Sequence, residues 1–280
     1  MLYAFYMTIK ARNRFLLFLF FIGAAMLAVN SAMVVLSALT GSIVPPETAV
    51  IRPPFFKGGL SYSFASVVSS ILFFGIMAPS MAFIVYRCFE KTSSLEILFF
   101  TGFIISCALE EARILLPVLH LWKSSSSLVV FIGRIVVVGR ILGPLSLLFA
   151  SLFSSSDQLE YAERNLFFLF ATSCAIGFFY PINSNEISSN CTVLYGMKSL
   201  FGVMRLLLLF TSIITISSDA YERGVKIAYL KALGILLIAA GSFFLYFCDN
   251  AVFLVTGIFI FLIGVVLYLK VMHYMANNWS

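Results

Sequence analysis

Residues 251–273 read AVFLVTGIFIFLIGVVLYLKVMH, with no charged side chain before Lys270. A helix of that length rises about 35 Å, enough to cross a hydrocarbon core about 30 Å thick. Comparable runs recur along the whole 280-residue chain, which is 61% hydrophobic and only 11% charged, with 31 phenylalanines. A soluble domain carries about 25% charged residues, so this chain lacks the polar surface to dissolve. A membrane barrel is excluded by period, since its strands alternate polar and apolar over about ten residues. The expected fold is all-α: a polytopic transmembrane helix bundle, one integral membrane domain over residues 1–280 with no soluble domain.

Eight spans are expected, at 15–39, 62–86, 95–119, 126–151, 165–182, 193–217, 225–247 and 251–273. The polar stretch Asn183–Asn190 between the fifth and sixth is short. The first span follows Lys10, Arg12 and Arg14, like the start of a signal peptide. Its apolar run of about 25 residues exceeds the 7–15 of a signal core, so it is expected to stay. Lys and Arg outside the spans or close to their ends fix the orientation. With a cytoplasmic N-terminus, one side holds Lys10, Arg12, Arg14, Arg87, Lys91, Arg164, Arg223, Lys226, Lys231 and Lys270, the other Arg52, Lys57 and Lys123. Ten against three places both termini in the cytoplasm of a cell-membrane protein. The net charge of +6 resides in these flanks and in intramembrane arginines. No basic stripe on a soluble domain offers itself to nucleic acid.

The longest non-spanning segment, about Thr40–Ser61, carries Pro45-Pro46 and Pro53-Pro54, which favour extended backbone over helix. No glycine-rich nucleotide motif occurs, so any energy source is an ion gradient or a partner subunit. Cys88, Cys107, Cys174, Cys191 and Cys248 form no CxxC pair and no metal-like grouping with the two histidines, and no cofactor is expected. Cys191 and Cys248 both fall near the outer surface, where a disulfide is conceivable; unpaired buried thiols are the plainer reading. Asn190-Cys191-Thr192 fits a glycosylation sequon.

Inside this apolar sequence lies CALEEARILLPVLHLW, residues 107–122. At about 100° per residue, Glu110, Arg113, Pro117 and His120 share one face of the third helix, with Glu111 about 100° away. Glu110 and Arg113 are close enough to pair. The fourth helix adds Arg134 and Arg140; the sixth adds Lys198 and Arg205, seven apart on one face. Each charge at a helix centre costs at least about 2.5–3.5 kcal/mol on insertion scales, so these groups are expected to face one another or a wet cavity. Two carboxylates against five cations leave three positive charges over. Two readings follow. In one, Arg113, Arg134, Arg140, Lys198 and Arg205 line an outward-facing cavity that binds an anionic small molecule or lipid headgroup, arginine supplying two parallel hydrogen bonds. In the other, Glu110 and Glu111 each clasp an arginine in a structural ion-pair network. His120, beside Trp122, is read as interfacial. Gly139, Gly143 and Pro144 permit close packing and a kink near Arg140, and Pro79 does the same in the second helix.

The string Glu110-Glu111-Ala112-Arg113 resembles the EExxxR motif of the CAAX-processing (Abi-type) intramembrane proteases, and His273 to Asn277 has that family's HxxxN shape. The first motif is two residues too short, and His273 sits at the opposite end of its span from the glutamates. No enzymatic role is assigned. What remains is a permease or permease subunit, against a membrane-embedded sensor or scaffold read by another membrane or cytoplasmic subunit.

Overall fold

The computed structural model describes residues 9–45, 61–92, 94–124, 126–153, 162–222, 224 and 226–278. Hydrocarbon offers no hydrogen-bond partner to the backbone, so apolar runs must bond within themselves. They do so as α1 (Ile9–Leu39), α2 (Phe64–Cys88), α6 (Ser126–Leu152), α8 (Lys198–Glu222), α9 (Lys226–Tyr246) and α10 (Ala251–Asn278). These six are long and apolar enough to cross a membrane. Helix makes up 84% of the structure. This is a multi-pass membrane protein.

The two remaining expected spans take other forms. In place of one helix over 95–119, α3 (Leu95–Glu110) stops after 16 residues. A 3₁₀ turn (Glu111–Ile114) and short α4 (Leu115–Val118) continue its line. Pro117 explains the break: it has no N–H for the Arg113 carbonyl, so the α ladder fails where the charges sit. His120 follows with a left-handed φ of 49°, and α5 (Leu121–Ser124) leads towards α6. The expected span 165–182 is α7 (Ala162–Phe179), of 18 residues. The expected span from 193 does not begin as helix. Residues Ile182–Ile187 (β1) and Val193–Tyr195 (β2) pair antiparallel, with Ile182 opposite Tyr195 and a bulge between Asn183 and Ile187. Only at Lys198 does α8 start. The polar connection is thus a hairpin, and its residues 187–195 are buried.

At the centre lies α3, with 13 of its 16 side chains buried, the mark of a helix surrounded on all sides. Phe100 and Phe103 on α3 stack against Tyr268 and Phe261 on α10. Phe74 on α2 stacks on Tyr246 of α9. The α9–α10 pair packs closely because both helices carry glycines seven apart, Gly234 and Gly241 against Tyr268 and Phe261, and Gly257 and Gly264 against Leu245 and Ile238. A Cβ at Gly241 would stand 2.5 Å from the Phe261 nitrogen, and one at Gly264 2.6 Å from the Ile238 nitrogen. Small residues let backbones approach where lipid supplies no hydrophobic drive.

Two basic residues assigned to the cytoplasmic flank are buried. Arg12 ties α1 to the end of α2, donating from Nη2 to the Phe89 carbonyl at 2.6 Å and from Nη1 to that of Thr92. Lys231 is 1% exposed and belongs to no loop. It is one turn inside α9, its Nζ 2.9 Å from Glu96 of α3, whose other oxygen accepts from the Tyr268 hydroxyl at 2.7 Å. The five cysteines are free. Asn190, of the sequon, is buried with its amide donating to the Tyr246 carbonyl at 2.5 Å. Arg52, Lys57, Arg223 and three of the four loop prolines lie outside the described residues.

Candidate functional site

The interruption after α3 sets the site. In a 3₁₀ turn, side chains three apart eclipse, and Arg113 Nε comes 2.9 Å from Glu110 Oε1. Across the interface α6 presents Arg140, whose fork meets the same carboxylate: Nη2 to Oε1 at 2.6 Å and Nε to Oε2 at 3.2 Å. Glu110 and Arg113 are fully buried and Arg140 is 3% exposed. One carboxylate therefore serves two guanidiniums.

The hairpin satisfies much of the rest. Thr192 Oγ1 accepts from Arg140 Nη2 at 3.1 Å and Arg113 Nη1 at 3.4 Å. The Tyr195 hydroxyl accepts from Arg140 Nη1 at 3.1 Å, and the Asn190 carbonyl from Arg113 Nη1 at 3.3 Å. Non-helical backbone inside a membrane bundle is stable only when enclosed by protein or lining a cavity, and this hairpin does both. Arg113 Nη2 finds no hydrogen-bond partner among the described residues.

Arg205 on α8 approaches the group without a carboxylate of its own among the described residues. Its guanidinium carbon lies 4.7 Å over the Tyr246 ring and 5.9 Å from that of Phe201. Arg140 lies 4.9 Å from the same Tyr246 ring. The ring's negative face draws both cations but neutralises neither. Arg205 Nε has no hydrogen-bond partner among the described residues.

These two arginines line a cavity of about 730 Å³ bounded by α6, α8, α9 and the hairpin. Lys198, the exposed first residue of α8, stands on its wall. Thr192 and Tyr195 line it, while Phe243, Phe244 and Phe247 form much of the α9 side.

Five of the seven charged residues singled out in the sequence are thus gathered: Glu110, Arg113, Arg140 and Arg205, with Lys198 on the cavity wall. Two are not. Arg134, six residues from Arg140, points to another side of α6, 6.0 Å from the Phe178 ring of α7. Glu111 turns towards α1 and α2 and clasps no arginine among the described residues. It accepts from Asn30 Nδ2 at 2.8 Å, where a Cβ on Gly75 would come within 2.6 Å of its carboxyl carbon. His120 hydrogen-bonds the Ser42 carbonyl at 2.6 Å and packs edge-on to Trp122. His273 packs edge-on to Phe89 at the end of α2, away from the glutamates.

Asn190, Thr192, Tyr195 and Tyr246 were not foreseen. The signal for the first three was the β-branched and aromatic string Thr-Val-Leu-Tyr after a cluster of Asn and Ser, which reads as a strand after a turn; Tyr246, at the end of α9, carried none. Compared with protein-family models, curated proteins and solved structures, the chain matches none of them.

Proposed function

We propose that this membrane protein binds an anionic solute or lipid headgroup in the cavity between α6, α8, α9 and the hairpin, and that it is a permease or the membrane subunit of one. Arg205 carries the reading. It is a cation on the wall of an otherwise largely apolar cavity, held by aromatic faces and paired with no carboxylate among the described residues. With Glu110 already shared by Arg113 and Arg140, one negative charge stands among three guanidiniums. An anion entering from the cavity would meet two positive charges left over and a planar fork suited to phosphate or carboxylate.

The expected result is a rise in melting temperature of the detergent-purified protein with some member of a panel of carboxylates, phosphates and anionic lipids, as any ligand preferring the native state requires. Arg205→Gln weakens that shift and Lys226→Gln, at the far end of α9, does not. No shift across the panel, or equal weakening by both variants, rules the site out. Transport is read separately, as uptake of labelled anions into proteoliposomes. A sensor or scaffold is the second reading, favoured by the buried Glu110 clasp, which would lock α3 to α6 without any ligand. A stoichiometric partner co-purifying in the absence of uptake supports it.

The proposal includes eight crossings, α3 with its continuation and α7 supplying the third and fifth, and cytoplasmic termini in the cell membrane. With Lys231 removed from the flank, basic residues stand nine against three, and the hairpin faces outward. A reporter fused after Ser280 is expected to be active only in the cytoplasm. Activity on the outer side means an odd number of crossings.

A further inference from the structure

We infer that the occupant of this cavity is an anionic lipid, with its phosphate or carboxylate headgroup against Arg140, Arg205 and Lys198 and an acyl chain laid along the seam between α8 and α9. The inference rests on the anion-binding reading and names its ligand class.

The cavity is polar at one end only. Its charged and hydroxyl-bearing walls belong to the hairpin, to Arg140 and to the stretch of α8 from Lys198 to Arg205. Beyond Arg205, α8 contributes only apolar side chains as far as Ile213, and the α9 wall from Leu236 to Phe247 is apolar throughout. A free phosphate or small carboxylate has no use for that extension. From Arg205 to Ile213 the helix rises about 12 Å, most of the depth of one hydrocarbon leaflet of about 15 Å, half the usual core. The apolar part of the cavity runs along most of the length of a lipid tail.

The seam is open sideways as well. Leu206, Phe210, Leu236 and Phe243 line the cavity yet are 65%, 62%, 48% and 53% exposed. In a membrane that exposure is to lipid, so an acyl chain can slide in from the leaflet without leaving hydrocarbon. Ala239 and Ala240 keep the middle of the α9 wall low. Charge complementarity then fixes the class: an apolar seam alone would take any chain, whereas the arginines at its end select an anionic head.

The test compares three probes on the delipidated full-length protein in non-ionic detergent: an anionic diacyl phospholipid, a zwitterionic lipid of the same chains, and inorganic phosphate. The anionic lipid is expected to raise the melting temperature at a half-saturating concentration at least about tenfold below that of either comparison, since both ends of the ligand then contribute. Ala240→Trp, which fills the seam, is expected to abolish the lipid shift and leave any phosphate shift unchanged; Arg205→Gln weakens both. Phosphate matching the anionic lipid overturns the lipid inference while anion binding stands. The zwitterionic lipid matching it shows that the head is not read, and overturns the inference too. No shift with any of the three overturns the lipid inference, and the anion-binding reading then falls only if the wider panel of carboxylates and phosphates is silent too. The comparison of probes on the unaltered chain decides the matter even if Ala240→Trp does not fold.

Discussion

Glu110→Ala is expected to cost about 3–5 kcal/mol of stability, the penalty for stranding a buried charge. The carboxylate is 0% exposed and is the single anion shared by Arg113 and Arg140. Its removal leaves two guanidiniums in a low-dielectric interior with only hairpin oxygens and an aromatic ring for company. Unfolding of the detergent-purified protein, followed by heat or denaturant, measures the loss. Glu111→Gln serves as the contrast. Its neighbour Asn30 donates to one carboxyl oxygen, a role the glutamine carbonyl fills, so the change is expected to be small although Glu111 is 1% exposed. A double-mutant cycle between Glu110→Ala and Arg140→Ala is expected to be strongly non-additive, because the second change removes a charge that the first had stranded. Additive effects would mean that the clasp contributes nothing to the fold.

The second large loss is expected at Glu96. Its two oxygens hold Lys231 at 2.9 Å and Tyr268 at 2.7 Å, joining α3 to α9 and α10. An exposed pair of this kind would contribute at most about 1 kcal/mol. Here Lys231 is 1% and Tyr268 0% exposed, so Glu96→Ala is expected to cost about 3–5 kcal/mol. Replacing both partners with apolar residues of similar volume, Glu96→Leu with Lys231→Met, is expected to recover most of the loss, because no charge then remains buried. Should the double variant be as unstable as Glu96→Ala alone, packing around Glu96 would be the cause rather than its charge.

Much of the fold could be read from the chain because length alone identifies a membrane helix: an apolar run long enough to cross has no other stable form in hydrocarbon. That simple rule stops at three places. A constant 100° per residue predicts a regular third span, but Pro117 removes a ladder bond and the charged quartet adopts the tighter 3₁₀ turn. The hairpin reads as a polar connection, since a strand of three residues carries almost no periodic signal. Lys231 reads as a flank residue because it lies five residues into α9, where surface and interior cannot be told apart from sequence. One distinction was available. Arg134 and Arg140 are six apart, about 120° around a helix, so they cannot share a face as Lys198 and Arg205 do.

The two carboxylates of α3 also fix an order in time. Glu96 and Glu110 lie 14 residues apart, about 21 Å along the helix, one near each end of the segment. The arginine on α6 that clasps Glu110 is 30 residues further along the chain, and the lysine on α9 that clasps Glu96 is 135 residues further. At about 5–20 residues per second of synthesis, Arg140 emerges from the ribosome about 2–6 seconds after Glu110. Lys231 emerges about 7–27 seconds after Glu96. Through that interval the first acid of the central helix lacks its lysine, and entering lipid without it carries the cost of an unpaired acid in hydrocarbon. The nascent protein thus gains the clasp at one end of α3 first and the other only when α9 arrives.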